Sequence, residues 1–218
     1  LGIFLKNQGD KAVLKTSLKF LAFGSAMLVA TPSFALVDVQ ALAGKRSGEF
    51  KMKDADAQKL DGTEVTAAVH LDPIPLVPVA FGASFHLQTW DKDKLEVKSV
   101  ESSLLNLEVM AWIPGVPVIT PYAKAGYTIV GAMHMKDDVD LGAGSQELDL
   151  LYKVSGYNLT VGVNYPVIPL IGIIAEVDMG SHTITPDKIK LAGTELDSAA
   201  YKSTSSTTAF RLGIQVGL

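Results

Sequence analysis

The sequence contains no cysteine, which rules out a disulfide framework and every thiolate-bound metal or cluster. Aromatic residues make up 7% of the 218 positions and charged residues 19%, a low charge content for a chain whose outside is entirely wet. No run of Lys and Arg is long enough to track a nucleic-acid backbone, and the net charge is −4, so nucleic acid is not an expected partner. Long hydrophobic runs are also missing. A helix that crosses a bilayer needs about 20 consecutive apolar residues. The stretch 20–30 is far shorter, and 73–83 and 166–175 are both short and broken by proline. Yet 48% of the residues are hydrophobic and the mean hydropathy is +0.26. The apolar residues are therefore dispersed, as a wall of short strands requires.

What is present begins with an export signal. Lys11, Lys15 and Lys19 precede the apolar stretch 20–30, and Thr31, Pro32 and the triplet Ser33-Phe34-Ala35 follow. A basic region, a short apolar core and a small-x-small site in that order predict a secretory signal peptide cleaved after Ala35. The chain thus divides into 1–35, upstream residues and signal, and 36–218. The first part holds four Lys and one Asp, so the second carries 15 basic against 22 acidic residues, a net charge of −7.

From Leu36 onward the period is two, the signature of strands with two unlike faces. Val37, Val39, Ala41 and Ala43 alternate with Asp38, Gln40, Leu42 and Gly44. The same alternation recurs at 64–71, 79–88, 105–112, 123–130, 157–164, 171–180 and 210–218, which makes eight strands. Three connections are short and proline-rich (72–78, 114–117, 166–169) and four are long and polar (49–61, 91–98, 136–147, 185–206). They come in the order loop, turn, loop, turn, loop, turn, loop. Transmembrane barrels have short periplasmic turns and longer outside loops, and a closed barrel is the one sheet that pairs every backbone group in lipid. The polar face is mostly Gly, Ala, Ser, Thr, Asn and Gln, which suits a narrow lumen better than a wet outer wall. The expected fold is therefore all-β: an eight-stranded antiparallel up-and-down transmembrane β-barrel preceded by a signal peptide. Pro121 is expected at the start of the fifth strand or at a bulge.

Charged residues on the inward parity predict a ring near mid-lumen: Glu64, Glu108, Lys124, Glu176, Asp178 and Arg211. Folding the chain about Val116 sets Glu108 opposite Lys124, and folding it about Val167 sets Asn158 opposite Glu176. Buried charges need such partners. At the C-terminus, Leu212, Ile214, Val216 and Leu218 occupy every second position. This stretch resembles the insertion signal that ends outer-membrane barrels, although an aromatic usually stands where Leu218 does. With the signal peptide and the strand count, 36–218 resembles the OmpA/OmpX/OmpW-like eight-stranded barrels over nearly its whole length. The resemblance implies a bacterial outer-membrane location, contact with outer-membrane lipid and lipopolysaccharide, and passage through the barrel-assembly machinery.

Catalytic signals are weak. His70, His86, His134 and His182 show no metal-ligand spacing, and no metal or cofactor is expected. His70 and His86 share the inward parity of adjacent strands. Ser181 and His182 are neighbours on one strand, so they point to opposite faces and cannot act as nucleophile and base. Trp90, Trp112, Tyr152 and Tyr165 are expected near strand ends, as interfacial anchors. The reading is a non-enzymatic outer-membrane barrel with a role in envelope integrity or surface interaction. The alternatives are a narrow or gated channel for ions or small solutes, a lipid-modifying enzyme, and a soluble periplasmic lipocalin-like barrel.

Overall fold

The computed structural model describes residues 36–51, 57–72, 77–91, 97–113, 118–140, 145–168, 170–191, 194–196 and 202–218. The signal segment, with Ser33 and Ala35, lies outside them. The described residues form nine strands: β1 Leu36–Lys51, β2 Gln58–Asp72, β3 Val79–Trp90, β4 Ser99–Trp112, β5 Thr120–Asp140, β6 Ser145–Ile168, β7 Ile171–Leu191, β8 Thr194–Leu196 and β9 Ser203–Gly217. Eight of them close a ring. Each long strand pairs antiparallel with its neighbours in sequence, β6 pairs with β7, and β1 pairs with β9 to complete the circle. The three-residue β8 lies outside the ring and pairs with β7 alone.

The ends of the barrel differ. Both ends of the described chain meet at the short-turn side, where the Val37 N–H donates to the Leu218 carbonyl and the Leu218 N–H donates back to the Val37 carbonyl. At the other side the strands run past the barrel wall. The expected loop 136–147 is mostly ladder, with β5 reaching Asp140 and β6 starting at Ser145, and β7 carries strand structure to Leu191. Polar residues beyond a lipid belt still complete backbone pairs with each other, so composition alone misplaces the strand ends. Pro121 is the second residue of β5, and its carbonyl accepts from the Ile113 N–H.

The outer wall carries the apolar set. Val65, Val69, Phe81, Leu107, Val109, Leu159, Val161, Ile173, Phe210 and Leu212 are all exposed large hydrophobics. Just above this band, on the long-strand side, the outward positions turn polar, with Lys45 pairing against Thr63 and Thr63 against Thr89. An apolar band ringing a whole closed sheet, with polar residues beginning at one level, is built for a bilayer. Tyr127 and Tyr157 pair across β5 and β6 and are both 57% exposed on this face, and Tyr165 is exposed below them. The expected anchors Trp90, Trp112 and Tyr152 instead pack against inward apolar clusters.

Two sequence readings need correction. The alternation read over 123–130 puts Val130 on the same inward parity as Lys124, but it is 63% exposed. The ladder slips between Thr128 and Ala132, and this bulge turns Ile129 and Val130 outward together. The hairpin axes also differ from expectation. Glu108 pairs with Gly126 while Lys124 pairs with Met110; Asn158 pairs with Gly180 while Glu176 pairs with Gly162. Register follows turn geometry, and the turn residues alone do not reveal where the axis falls.

Candidate functional site in the barrel lumen

The inward positions of β1, β2, β3, β4, β5, β6, β7 and β9 supply a buried polar network at mid-height. It contains all six of the expected ring residues: Glu64, Glu108, Lys124, Glu176, Asp178 and Arg211, each 5% exposed or less. Sequence reasoning missed one charged member. Arg46, 3% exposed, continues the inward parity of Gln40, Leu42 and Gly44, so the signal was there. The strand was simply read as ending too soon.

The pairing inside the lumen crosses it. Lys124 on β5 pairs with Glu176 on β7 and donates to Gln40 Oε1 on β1 at 2.7 Å; it does not pair with Glu108. Arg211 donates to Glu64 Oε1 at 3.0 Å and lies 2.8 Å from Glu176 Oε2 and 3.4 Å from Asp178 Oδ1. Arg46 pairs with Glu64 through Nε and with Asp178 Oδ2 at 2.7 Å through Nη2. Long side chains in so narrow a bore reach strands that are not adjacent, which two-strand register cannot forecast. Asn158 and Thr160 donate to Asp178 Oδ1 at 3.1 and 2.7 Å, and Tyr122 donates to Glu176 Oε1 at 2.7 Å.

His70 and His86 do converge, on Glu108. His70 Nε2 lies 3.1 Å from Glu108 Oε2, and His86 Nε2 lies 3.9 Å from Glu108 Oε1. On its other side His86 Nδ1 is 2.9 Å from Glu64 Oε1, while Ser84 Oγ is 2.7 Å from His86 Nε2. Serine, histidine and carboxylate in that order are the arrangement of an activated nucleophile. Here Ser84 is 2% and His86 1% exposed, and the serine hydroxyl already donates to Glu108. In this setting the hydrogen bonds satisfy buried polar groups. Ser181 and His182 do point apart: His182 is buried and Ser181 is half-exposed on the other face.

Apolar layers lie above and below. Toward the long-strand end Phe50, Leu60, Val100, Leu104, Met133, Val154 and Ile184 fill the bore, with Trp90, Val97, Met135 and Tyr152 packed against them. Toward the short-turn end Leu42, Ala80, Met110, Tyr122 and Ile174 do the same, with Trp112 alongside. A cavity of about 30 Å³ between the upper layer and Arg46, Gln88 and His182 has room for a water molecule or two. Two glycines allow the wall to take this filling. A Cβ at Gly162 would lie 2.6 Å from Tyr122 Cζ, and one at Gly126 would lie 2.3 Å from Asn158 Oδ1.

A solved structure shares this fold. A major outer membrane protein from Thermus thermophilus superposes with a TM-score of 0.53 at 15% identity, covering 85% of this chain and all of the other. The fold is that of an outer-membrane β-barrel. Neisserial surface protein A (TM-score 0.47, 15% identity, 83% of this chain and 96% of that one) and OprG from Pseudomonas aeruginosa (0.45, 11%, 84% and 95%) are looser likenesses. No family model matches the sequence, and no curated protein matches it. The barrel also places the C-terminal positions: Leu212, Ile214 and Leu218 are exposed on the outer face and Val216 is half-exposed. Outside the belt, Lys98 pairs with Asp138 at 2.6 Å, and this hydrogen bond raises the Lys98 pKa.

Proposed function

We propose that the protein is a non-enzymatic outer-membrane barrel whose packed lumen makes it a structural element of the envelope, with its long-strand end serving surface contacts. One observation carries the reading: between its two mouths the bore is occupied by an apolar layer, a charged layer and a second apolar layer, whose buried residues are almost wholly shielded from a water-sized probe. An ion entering it would meet dry apolar side chains at both levels, and moving a charge through such a medium costs several kcal/mol. An eight-stranded barrel is about the size its own side chains fill. The partners that fit this reading are the lipid around the apolar band, lipopolysaccharide at its outer rim, and the assembly machinery that meets Leu212, Ile214, Val216 and Leu218.

The test is planar-bilayer recording of the purified barrel. The expected result is no steady conductance above the lipid baseline across physiological voltages. Stable unitary currents that shift in size with Glu108→Ala or Lys124→Ala would overturn the reading in favour of the gated channel.

A further inference from the structure

The short-turn mouth of the barrel holds a cavity of about 230 Å³, and its lining has one chemical bias. Asp38 on β1 and Asp72 on β2 face it from one side. Trp112 and Tyr122, a direct cross-strand pair on β4 and β5, face it from the other. Asn164 on β6 and Gln215 on β9 complete the rim. Asp72 Oδ1 and Asn164 Oδ1 are both shielded from solvent and have no hydrogen-bond donor among the described residues. The Lys124 ammonium, which lies over the Tyr122 ring at 5.4 Å, is held by Glu176 and Gln40.

The wall is shaped for these groups. A Cβ at Gly172 would fall 1.9 Å from Asn164 Oδ1, and one at Gly162 would strike the Tyr122 ring, so glycine at both positions is what lets the amide and the ring occupy the mouth. Buried acceptors without donors are rare because each costs free energy. An aromatic wall facing two carboxylates favours a ligand that brings positive charge, donors and a hydrocarbon surface together. The cavity is smaller than those that enclose drug-sized molecules.

We infer that this mouth is a binding site for a small organic cation, a primary alkylammonium or short diamine, entering from the short-turn side. Its ammonium pairs with the Asp38 and Asp72 carboxylates while its methylenes lie along Trp112 and Tyr122. The inference is independent of whether the barrel conducts.

The test uses the barrel extracted from membranes in detergent and titrated with 1,4-diaminobutane, reading the Trp112 indole N–H by NMR. A saturable shift of the Trp112 signal is expected, with Trp90, packed in the far apolar layer, unmoved. 1,4-Butanediol, equal in length but uncharged, should produce no shift. Asp38→Asn and Asp72→Asn should each weaken the diamine by about tenfold or more, with folding of each variant confirmed by its gel mobility before boiling. Should either variant misfold, the diamine and diol comparison on the unaltered barrel still decides. Equal binding of the diol, no response to the diamine, or unchanged affinity in both folded variants would overturn the inference. A Trp112 shift with magnesium chloride that the diamine fails to displace would also overturn it, by assigning the mouth to an inorganic cation.

Discussion

Replacing Glu64 by alanine should cost the barrel about 3–5 kcal/mol, the usual consequence of removing one partner from a buried ion pair. Glu64 Oε1 accepts from Arg211 at 3.0 Å and Thr66 at 2.9 Å and faces His86 at 2.9 Å. Its other oxygen accepts from Arg46 and from Gln88 at 3.2 Å. The side chain thus gathers five hydrogen-bond partners from four strands. After truncation Arg46 keeps Asp178 and Arg211 keeps Glu176, so neither guanidinium is stranded and the lower part of the range is expected. Glu64→Gln retains the volume and part of the hydrogen bonding and should cost about 1–3 kcal/mol. The comparison is Lys153→Ala, which removes an ion pair to Asp187 of 2.7 Å whose lysine is exposed; such pairs contribute about 0–1 kcal/mol. Urea titration of the barrel in detergent, with the folded fraction read by gel mobility without boiling, measures all three. A Glu64→Ala loss no larger than that of Lys153→Ala would refute the claim that the mid-lumen network is a paired core.

Two further outcomes follow from the wall. Val161→Arg puts a guanidinium on the outer face, where Val161 is 52% exposed amid the apolar band; a loss of about 2–4 kcal/mol is expected in lipid vesicles, and a neutral effect would show that this face is wet. Gly44→Val should impair closure of the β1–β9 seam, because a Cβ there would lie 2.0 Å from the Phe210 carbonyl oxygen. Overpacking of this kind costs about 1–3 kcal/mol, read as a lower urea midpoint; an unchanged midpoint would mean that the seam opens without penalty.

Strand number, strand order and sidedness were legible because each depends on period two and on the alternation of prolines with polar stretches, both local properties of the chain. Six members of the lumen network were legible for the same reason, since parity alone tells which face a residue takes. What could not be read was who pairs with whom. Lys124 finds Glu176 across the bore, and that contact depends on two hairpin axes together with the stagger of the closed sheet. Arg46 was missed because β1 continues to Lys51, beyond the point where apolar alternation fades. Val130 went astray at a bulge, for which the adjacent apolar pair Ile129-Val130 was the one available sign. The mouth cavity leaves no trace in local pattern at all, because its lining comes from six strands.

The claim beneath the whole account is that odd and even residues of the wall meet lipid and lumen respectively along β6. The cysteine-free sequence permits a direct measurement. Single cysteines placed in turn at 158, 159, 160 and 161 in β6 can be spin-labelled in the folded barrel in vesicles, and their collision rates with oxygen and with a water-soluble nickel chelate compared. The account predicts high oxygen accessibility at 159 and 161, with 158 and 160 shielded from both reagents. Chelate accessibility at 158 and 160, with 159 and 161 shielded, would contradict it.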